Sequence, residues 1–467
     1  MRLLAKRLRA CPVWCKVCGT LFVNLWTQKT MDLKVPELLS PAGSPEKLRY
    51  ALAYGADAVY AGIPRFSLRA RENPYNNNLL KKDIEYCRER GKKIYVTANI
   101  LPPNRKLDSL KKSLALFAEA APDGIIMSDP GMIRFVLKEF PQLPVHLSVQ
   151  TNTINWMSAA FWRDEGVRRI ILSRELSLRE IQEIHERVPE IELESFVHGS
   201  ICIAYSGRCL LSNYFNHRDA NQGTCTNSCR WEYNLYKEFP DEERKPQPAH
   251  ENFFIEETGR NGDFMPIDED EHGTYIMNSK DLRAIEHLDE LSRAGVGSFK
   301  IEGRSKSVYY LSLITRAYRQ ATDDIAAKKS FDPSLLNETD KTANRGFTTA
   351  FLLSNASRAT EQFDSPQEKD LPQVYAGRVV NDRAGGWMEL EVKNQIEVGQ
   401  EVEYISPQNQ YRFRITSMEN TNGMALTTAH GGNGTVWIKT EGCVEPYALL
   451  SRVIKTPAPS LASSPEA

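Results

Sequence analysis

The chain has 467 residues, of which 41% are hydrophobic and 25% are charged, as in ordinary globular proteins. This length allows three domains of about 150 residues, or one large barrel with a smaller module. Lys and Arg total 59 against 60 Asp and Glu, and the net charge of −1 excludes a strongly basic protein that wraps nucleic acid. The sequence has no uncharged apolar run of about 18 residues, so a membrane-spanning helix is not expected.

The N-terminal segment differs in charge from the rest of the chain. It has no acidic residue up to residue 30, but it contains Arg2, Lys6, Arg7, Arg9, Lys16 and Lys29. Lys16 interrupts the apolar part, which argues against a secretory signal peptide; a transit-type presequence and an upstream start codon are the other interpretations. We expect residues 1–33 to lie outside the fold, with Met31 as the true start.

From residue 34 onward, short apolar runs alternate with amphipathic, helix-like segments. The runs predict eight strands: Leu38–Ser40, Ala58–Gly62, Lys93–Ile100, Gly124–Ser128, Val145–Thr151, Arg169–Ser173, Ile191–Val197 and Ser298–Glu302. A helix over Lys280–Ala294 is predicted to lead into the eighth strand. This order predicts an α/β fold, a (β/α)₈ TIM-like barrel over residues 34–364 with a Cys-rich insertion, residues 199–297, after the seventh strand. An open doubly wound sheet is the alternative.

Polar residues recur at every second position of several predicted strands. Helices must cover an apolar outer face, so the polar faces are predicted to point into the barrel lumen. The side chains on these faces are Asn99, Gln150, Glu194, His198, Lys300 and Glu302. The last four are the candidate catalytic residues, and a network of ion pairs that only fills the lumen is the alternative.

The C-terminal part changes to short strands and turns. Residues 373–455 are predicted to form a small β-barrel module, and residues 456–467, rich in Pro, Ser and Ala, to be disordered. A linker is predicted between this module and the barrel, over Ser365–Pro372.

Four cysteines follow the seventh predicted strand, namely Cys202, Cys209, Cys225 and Cys229. Four thiolates on a loop that leaves the catalytic face of a barrel are what an iron–sulfur cluster needs, so we predict an iron–sulfur centre. Structural zinc and buried free thiols are the alternatives, although only the last two cysteines have a spacing typical of zinc sites.

A second cysteine set, Cys11, Cys15 and Cys18, has the spacing of the cluster ligands in radical S-adenosylmethionine enzymes. It precedes the first strand instead of following it, so we interpret it as a chance match.

The stretch Glu194–Ser212 closely resembles the signature of the collagenase-like U-type peptidase family, family 32. Supporting segments are Pro36–Gly43, Ala56–Gly62, Met127–Pro130, His146–Asn152, Ile171–Leu176, Gly223–Tyr233, Asp270–Arg283 and Lys300–Arg304. The resemblance implies a cytoplasmic, O₂-independent enzyme that hydroxylates uridine at the tRNA wobble position, nucleotide 34. The product is 5-hydroxyuridine, the first step toward 5-carboxymethoxyuridine.

The resemblance also implies the cofactors and partners of this reaction. They are prephenate, tRNA and the iron–sulfur assembly machinery, with the four cysteines after the seventh strand as the ligands of a 4Fe–4S cluster.

Prephenate is a small dicarboxylate, and bidentate arginine is its natural partner. The candidate substrate-binding residues are Arg65, Arg69, Asn99, Gln150, Arg174 and Arg304, all near predicted strand ends. Tyr205, Trp231 and Tyr233 are candidates for stacking on an extruded base.

Two other functions stay open at this point. One is a peptidase that acts through Glu194 or His198, and the other is a non-catalytic RNA-binding protein with structural zinc. The sequence has no His-Glu-x-x-His helix and no Gly-x-Ser-x-Gly elbow, which disfavours the common protease mechanisms.

Overall fold

The structure is a computed structural model. It describes residues 35–69, 73–202, 204–206, 208–230, 236–237, 247–248, 253–256, 264–270, 273–275, 279–353, 371–432, 434–440, 442 and 444–454. The compact unit that contains the barrel begins at Pro36. The predicted tail 1–33, the second cysteine set, Trp231, Tyr233, most of the predicted linker and residues 456–467 lie outside the described residues.

Eight parallel strands form the barrel. In chain order they are Glu37–Pro41, Ala58–Gly62, Lys93–Ala98, Gly124–Met127, Val145–Leu147, Arg169–Ile171, Glu192–Ser200 and Val296–Ile301. Each of the first seven strands pairs with the next barrel strand along the chain, and the eighth pairs back to the first. This closure confirms the predicted TIM-like barrel and excludes the open sheet.

Helices cover the outside of the barrel. They span Pro45–Ala53, Asn77–Glu89, Asn104–Ala120, Pro130–Glu139, Trp156–Asp164, Leu178–Arg187, Leu288–Arg293, Val308–Ala326 and Ser334–Asp340. Several begin where a polar side chain accepts a hydrogen bond from the first turn, as Ser44, Asp129 and Ser307 do. Ser177 forms a full capping box with Glu180. No helix in the described ranges is long and apolar enough to cross a membrane.

Alternating residues of the strands build two separate cores. Leu38, Val59 and Val96 belong to the larger core between strands and helices. Their neighbours Leu39, Tyr60, Tyr95, Ile126, Ile171 and Phe196 form a smaller core in the lumen. The two-residue period therefore decides which side chains reach the centre of the barrel.

The predicted helix over Lys280–Ala294 is wrong in its first half. Asp281–Arg283 is a strand that pairs antiparallel with residues 198–200, and it is followed by the 3₁₀ turn Ile285–His287. The backbone N–H of Asp281 donates to Gly346 O (3.0 Å), and the Asp281 side chain pairs with Arg345. Pairing with distant strands satisfies this backbone, and such tertiary contacts override helix propensity.

This strand extends the sheet at the rim of the barrel. Phe347–Thr348 pairs parallel with it, so two short strands stand above the end of the seventh barrel strand. The described insertion elements are the helix Leu211–Asn216, the 3₁₀ turns Ala220–Gln222 and Ser228–Arg230, and the strands Tyr236–Lys237, Gln247–Pro248, Phe253–Glu256, Phe264–Asp270 and Gly273–Tyr275.

The C-terminal module is an antiparallel β-domain, as predicted. Its strands are Gln373–Arg383, Trp387–Val392, Ile396–Glu397, Glu401–Ile405, Gln410–Arg414, Met418–Glu419, Thr428–Ala429, Thr435–Lys439 and Leu449–Val453. The module is joined to the barrel by buried polar contacts. Tyr54 donates to the carbonyl oxygens of Ile405 (3.1 Å) and Tyr447 (3.0 Å), and Lys341 pairs with Glu403 (2.9 Å).

Candidate functional site

A cavity of about 140 Å³ opens at the carboxyl ends of the barrel strands, where active sites of such barrels lie. It is lined by Tyr60, Leu68, Arg69, Thr97, Asn99, Ile126, Ser148, Val149, Gln150, Ile171, Arg174, Phe196, Ser200, Cys202, Ser206, Lys300, Glu302 and Arg304. The structure thus brings eight sequence-predicted residues together: Arg69, Asn99, Gln150, Arg174, Cys202, Lys300, Glu302 and Arg304.

Glu194 lies in the lumen and is fully buried. Its Oε1 accepts from Lys300 Nζ (2.6 Å) and its Oε2 accepts from Arg169 Nη1 (2.9 Å). Arg169 also binds Glu37 (2.8 Å) and Glu192 (2.9 Å), so the network runs down the lumen. Lys300 is the member of this network that also lines the cavity.

Burial and charge oppose each other in this network. Burial raises the pKa of the Glu194 carboxyl, but the positive charges of Lys300 and Arg169 outweigh burial and hold that pKa below its usual range. Burial lowers the pKa of Lys300, and the adjacent Glu194 charge only partly offsets this effect. Glu194 is therefore ionised. The ammonium group of Lys300 releases its proton more readily than an ordinary lysine does.

His198 does not take the predicted place in the lumen. Its Nδ1 lies 3.2 Å from the hydroxyl of Tyr318, on the helix Val308–Ala326, and its ring also packs against Tyr310. The correction has a physical cause, because the seventh strand carries a β-bulge: Phe196 and His198 oppose consecutive residues, Lys300 and Ile301, of the eighth strand. Burial lowers the pKa of His198 to about 3, so this imidazole is neutral.

Arg174 follows the sixth strand and reaches across the cavity wall. Its guanidinium carbon lies 3.9 Å from the centre of the Phe196 ring, and its Nη1 donates to Ser206 Oγ (3.2 Å). Its Nε is buried, and none of the described residues accepts a hydrogen bond from it. Gln150 has the same property on another wall: Ser128 donates to its Oε1 (2.8 Å), while its buried Nε2 has no acceptor among the described residues.

Arg304 and Arg69 supply two further positive charges at the cavity. Arg304 donates to Thr97 Oγ1 (3.1 Å) and to the carbonyl oxygen of Leu68. Arg69 donates to Asn227 Oδ1 (3.3 Å), and so it links the cavity wall to the cysteine loop. Arg65 is exposed and is not among the residues that line this cavity.

Asn99 and Glu302, the remaining two predicted residues, form hydrogen bonds with other parts of the cavity wall. Asn99 accepts from the backbone N–H of Leu68 (3.1 Å), and Glu302 lies within 3.3 Å of the Tyr60 hydroxyl, which donates to it. Four cations and one carboxylate therefore line the cavity, and one of those cations is already neutralised by Glu194. The positive side chains of the lining and the unused N–H donors of Arg174 and Gln150 favour an anionic ligand.

The four cysteines follow the seventh barrel strand in the chain, and one of them lines the cavity. Cys202 is exposed and lines the cavity, whereas Cys209, Cys225 and Cys229 are partly buried. Cys225 Sγ accepts from the backbone N–H of Asn227 (3.4 Å), whose side chain binds Arg69.

The donor type of these cysteines fits an iron–sulfur cluster, but their arrangement is not that of a closed site. Across the described segments, no three His, Cys, Asp or Glu side chains are grouped closely enough to hold a metal ion. The iron–sulfur centre predicted from the sequence therefore stays a prediction.

Sequence reasoning missed Arg169 and Tyr60. Arg169 is buried at the centre of the lumen network, and Tyr60 lines the cavity. The signal was available, because alternation along the strands Ala58–Gly62 and Arg169–Ile171 puts Tyr60 and Arg169 on the same faces as residues that point inward.

Comparison with known proteins gives matches along nearly the whole chain. The model of peptidase family U32 matches residues 43–362, and the model of the family U32 C-terminal domain matches residues 372–451. The chain is 47% identical over 437 residues to tRNA hydroxylation protein P of Escherichia coli (strain K12), covering 89% of this chain and 96% of that protein.

Two more distant relatives are similar over most of this chain. tRNA hydroxylation protein P1 of Bacillus subtilis (strain 168) is 35% identical, over 91% of this chain and 96% of that protein. The 23S rRNA 5-hydroxycytidine C2501 synthase of Escherichia coli (strain K12) is 30% identical, over 82% of this chain and 55% of that protein. Proteins named for RNA hydroxylation are therefore similar in sequence to this chain over most of its length.

Proposed function

The chain belongs to peptidase family U32, and we propose that it hydroxylates uridine at the wobble position of tRNA, nucleotide 34, in a prephenate-dependent reaction. The observation that carries the proposal is its 47% and 35% identity, over about nine-tenths of its length, to tRNA hydroxylation proteins. The product would be 5-hydroxyuridine, made in the cytoplasm without O₂, on the way to 5-carboxymethoxyuridine.

The cavity is the place we assign to prephenate. Arg174, Arg304 and Arg69 line it with guanidinium groups. The buried Arg174 Nε and Gln150 Nε2 have no acceptor in the described part of the chain, so both can donate to a carboxylate. The apolar wall of Phe196 and its neighbours Ile126, Val149 and Ile171 suits the carbon ring of such a ligand. The guanidinium groups and the apolar wall of this cavity together suit a small cyclic dicarboxylate.

Lys300 is the residue we propose to handle protons in this cavity. It lies between the fixed Glu194 anion and the ligand space, and its lowered pKa brings its proton exchange closer to neutral pH. Glu302, on the same strand end, is the second candidate for proton transfer.

The peptidase interpretation has less support from the geometry. Both Glu194 oxygens are engaged by cations and the side chain is fully buried, so it is poorly placed to activate water. His198 is buried against Tyr318, away from the cavity lining. Neither residue has the arrangement that a hydrolytic base needs.

We also propose that Cys202, Cys209, Cys225 and Cys229 hold a 4Fe–4S cluster, inserted by the iron–sulfur assembly machinery. The support is the chemistry of four thiols that follow the seventh barrel strand, one of which lines the cavity. When bound, the cluster would supply electron transfer at the cavity mouth.

The function is tested in an Escherichia coli strain that lacks its own tRNA hydroxylation protein P. The measurement is nucleoside mass spectrometry of tRNA from this strain. The wild-type chain should restore the hydroxylated wobble uridine, and Cys225→Ala should not. Unchanged nucleosides after expression of a folded wild-type chain would contradict the proposal. Iron and sulfide analysis, with visible absorbance after anaerobic purification, tests the cluster separately.

A further inference from the structure

A second cavity lies beside the first one at the mouth of the barrel. Its volume is about 260 Å³, and it is lined by Glu175, Ile201, Cys202, Ala204, Tyr205, Arg208, Ser279, Thr348, Ala350 and Phe351. Cys202 lines both cavities, so the two cavities are adjacent. Tyr205 and Ser206 are consecutive residues of this wall, and they face the second and the first cavity respectively.

We propose that this second cavity is the subsite for the uracil base of the RNA, extruded from its stack. The inference rests on the proposed function and adds the place where its nucleobase binds. A reaction between a small anion and a base needs two adjacent spaces, and the structure has two that share a wall.

Two aromatic rings make the second cavity suitable for a planar ring. Tyr205 lines it with half of its side chain exposed, and Phe351 lines it while packing against the lumen core. Nucleobases removed from a helix stack on such rings, and stacking of this kind contributes about 1–3 kcal/mol per base. Phe351 is anchored and Tyr205 is accessible, so the base has one fixed and one adjustable neighbour.

The polar groups of the second cavity match the edge of uracil. Uracil presents one N–H donor between two carbonyl acceptors, whereas cytosine presents an acceptor at the position of that N–H. Glu175 supplies an acceptor, and Ser173 donates to its Oε2 and so holds the carboxylate in place. Arg208, Ser279 and Thr348 supply donors for the two carbonyl groups. A carboxylate opposite the ring N–H favours uridine over cytidine.

The segment that carries Phe351 is held in an unusual conformation. Ala350 has a φ of +51°, which is uncommon for a residue with a side chain, and its backbone N–H donates to Thr348 Oγ1 (3.0 Å). Leu352 O accepts from the backbone N–H of Leu178 (3.1 Å) on the neighbouring helix. Such conformations persist where surrounding contacts enforce them, and here they place Phe351 at the cavity.

Photo-crosslinking tests the subsite without requiring activity. The full-length protein is irradiated with an anticodon stem–loop RNA that carries 5-iodouridine at the wobble position, and crosslinked peptides are identified by mass spectrometry. We expect crosslinks at Tyr205 or Phe351. Tyr205→Ala should lower the yield about tenfold, Tyr205→Phe should retain it, and Tyr214→Ala, an exposed tyrosine outside both cavity linings, should leave it unchanged.

Base choice is the second readout. Glu175→Gln should bring binding of a stem–loop with cytidine at that position closer to binding of the uridine form, because an amide can donate to the cytosine ring nitrogen. Crosslinks only on other peptides, no crosslink, or an unchanged yield with Tyr205→Ala would each overturn the subsite. If crosslinks map to Tyr205 while the wild-type chain restores no hydroxylated uridine in cells, the proposed function fails and the subsite stands.

Discussion

At the scale of single residues, a cation of the site is either paired with a buried carboxylate or has a donor left for a ligand. Lys300 and Arg169 neutralise the buried Glu194, whereas Arg174 retains a buried N–H without an acceptor among the described residues. Paired charges hold the lumen together, and the unused donor of Arg174 is available for a ligand. The two kinds of charged residue are therefore expected to respond differently to substitution.

Arg174→Lys should weaken prephenate binding about tenfold or more, because lysine keeps the charge but loses the planar fork that binds a carboxylate through two N–H groups. Calorimetric titration of the purified protein measures this. Arg168→Lys, at an exposed arginine six residues earlier, is the matched control and should bind as the wild type does. Equal affinity of both variants would remove Arg174 from the binding site.

His198 should make folding sensitive to acid. Its pKa is lowered to about 3 by burial, so below about pH 6.5 the unfolded chain takes up a proton that the folded chain does not. Stability contributed by this group is present above that pH and is lost as the pH falls, by about 2 kcal/mol at pH 5.

Urea unfolding at pH 7 and pH 5 checks this expectation. The loss between the two pH values should be about 2 kcal/mol smaller for His198→Gln than for the wild type. His217→Gln, at an exposed histidine, should show the wild-type loss. If His198→Gln lost as much stability between pH 7 and pH 5 as the wild type, the lowered pKa of His198 would be contradicted.

At the scale of elements, the seventh strand joins the lumen, the rim and the cavity. Alternation along the strands predicts correctly that Glu194 and Lys300 point inward, because their period of two is a local property of the chain. It fails for His198 because the bulge depends on pairing with a strand about 100 residues later, which no local pattern records. The strand Asp281–Arg283 was missed for the same reason, since its partners, residues 198–200 and Phe347–Thr348, are distant in sequence.

Gly199→Ala should destabilise the protein by about 2–4 kcal/mol. Gly199 has a φ of +108°, and a Cβ there would lie 2.6 Å from the carbonyl oxygen of Glu302. The control is Gly91→Ala, where φ is +63° and a Cβ would meet no described atom within 4 Å, with an expected loss of about 1 kcal/mol. Thermal and urea unfolding measure the stability of both variants. An equal loss of stability in the two would show that the contact between Gly199 and Glu302 tolerates a side chain.

At the scale of the whole molecule, the barrel and the C-terminal module share buried polar contacts. Glu403 of the module accepts from Lys341 Nζ (2.9 Å) and Gln373 Nε2 (2.7 Å), and both ends of the ion pair are buried. The surrounding hydrogen bonds and charge outweigh the effect of burial and keep the pKa of Glu403 low, so the carboxylate is ionised. Removing its cation leaves a buried charge without its main partner.

Lys341→Met should therefore lower the free energy of unfolding by about 3 kcal/mol. The same substitution at Lys329, whose ammonium pairs with Asp324 at an exposed position, should cost less than about 1 kcal/mol. Urea unfolding of the full chain compares the two variants. A loss at Lys341 no greater than at Lys329 would show that this contact does not hold the module to the barrel.

The central claim is that the arginine-lined cavity of the barrel binds the ligand on which hydroxylation of tRNA uridine depends. The most direct measurement is the amount of hydroxylated wobble uridine in tRNA from a deletion strain that expresses wild-type, Arg174→Gln or Arg168→Gln protein at equal levels. We predict full restoration by the wild type and by Arg168→Gln, and a loss of at least about tenfold with Arg174→Gln. Full restoration by Arg174→Gln would contradict the claim.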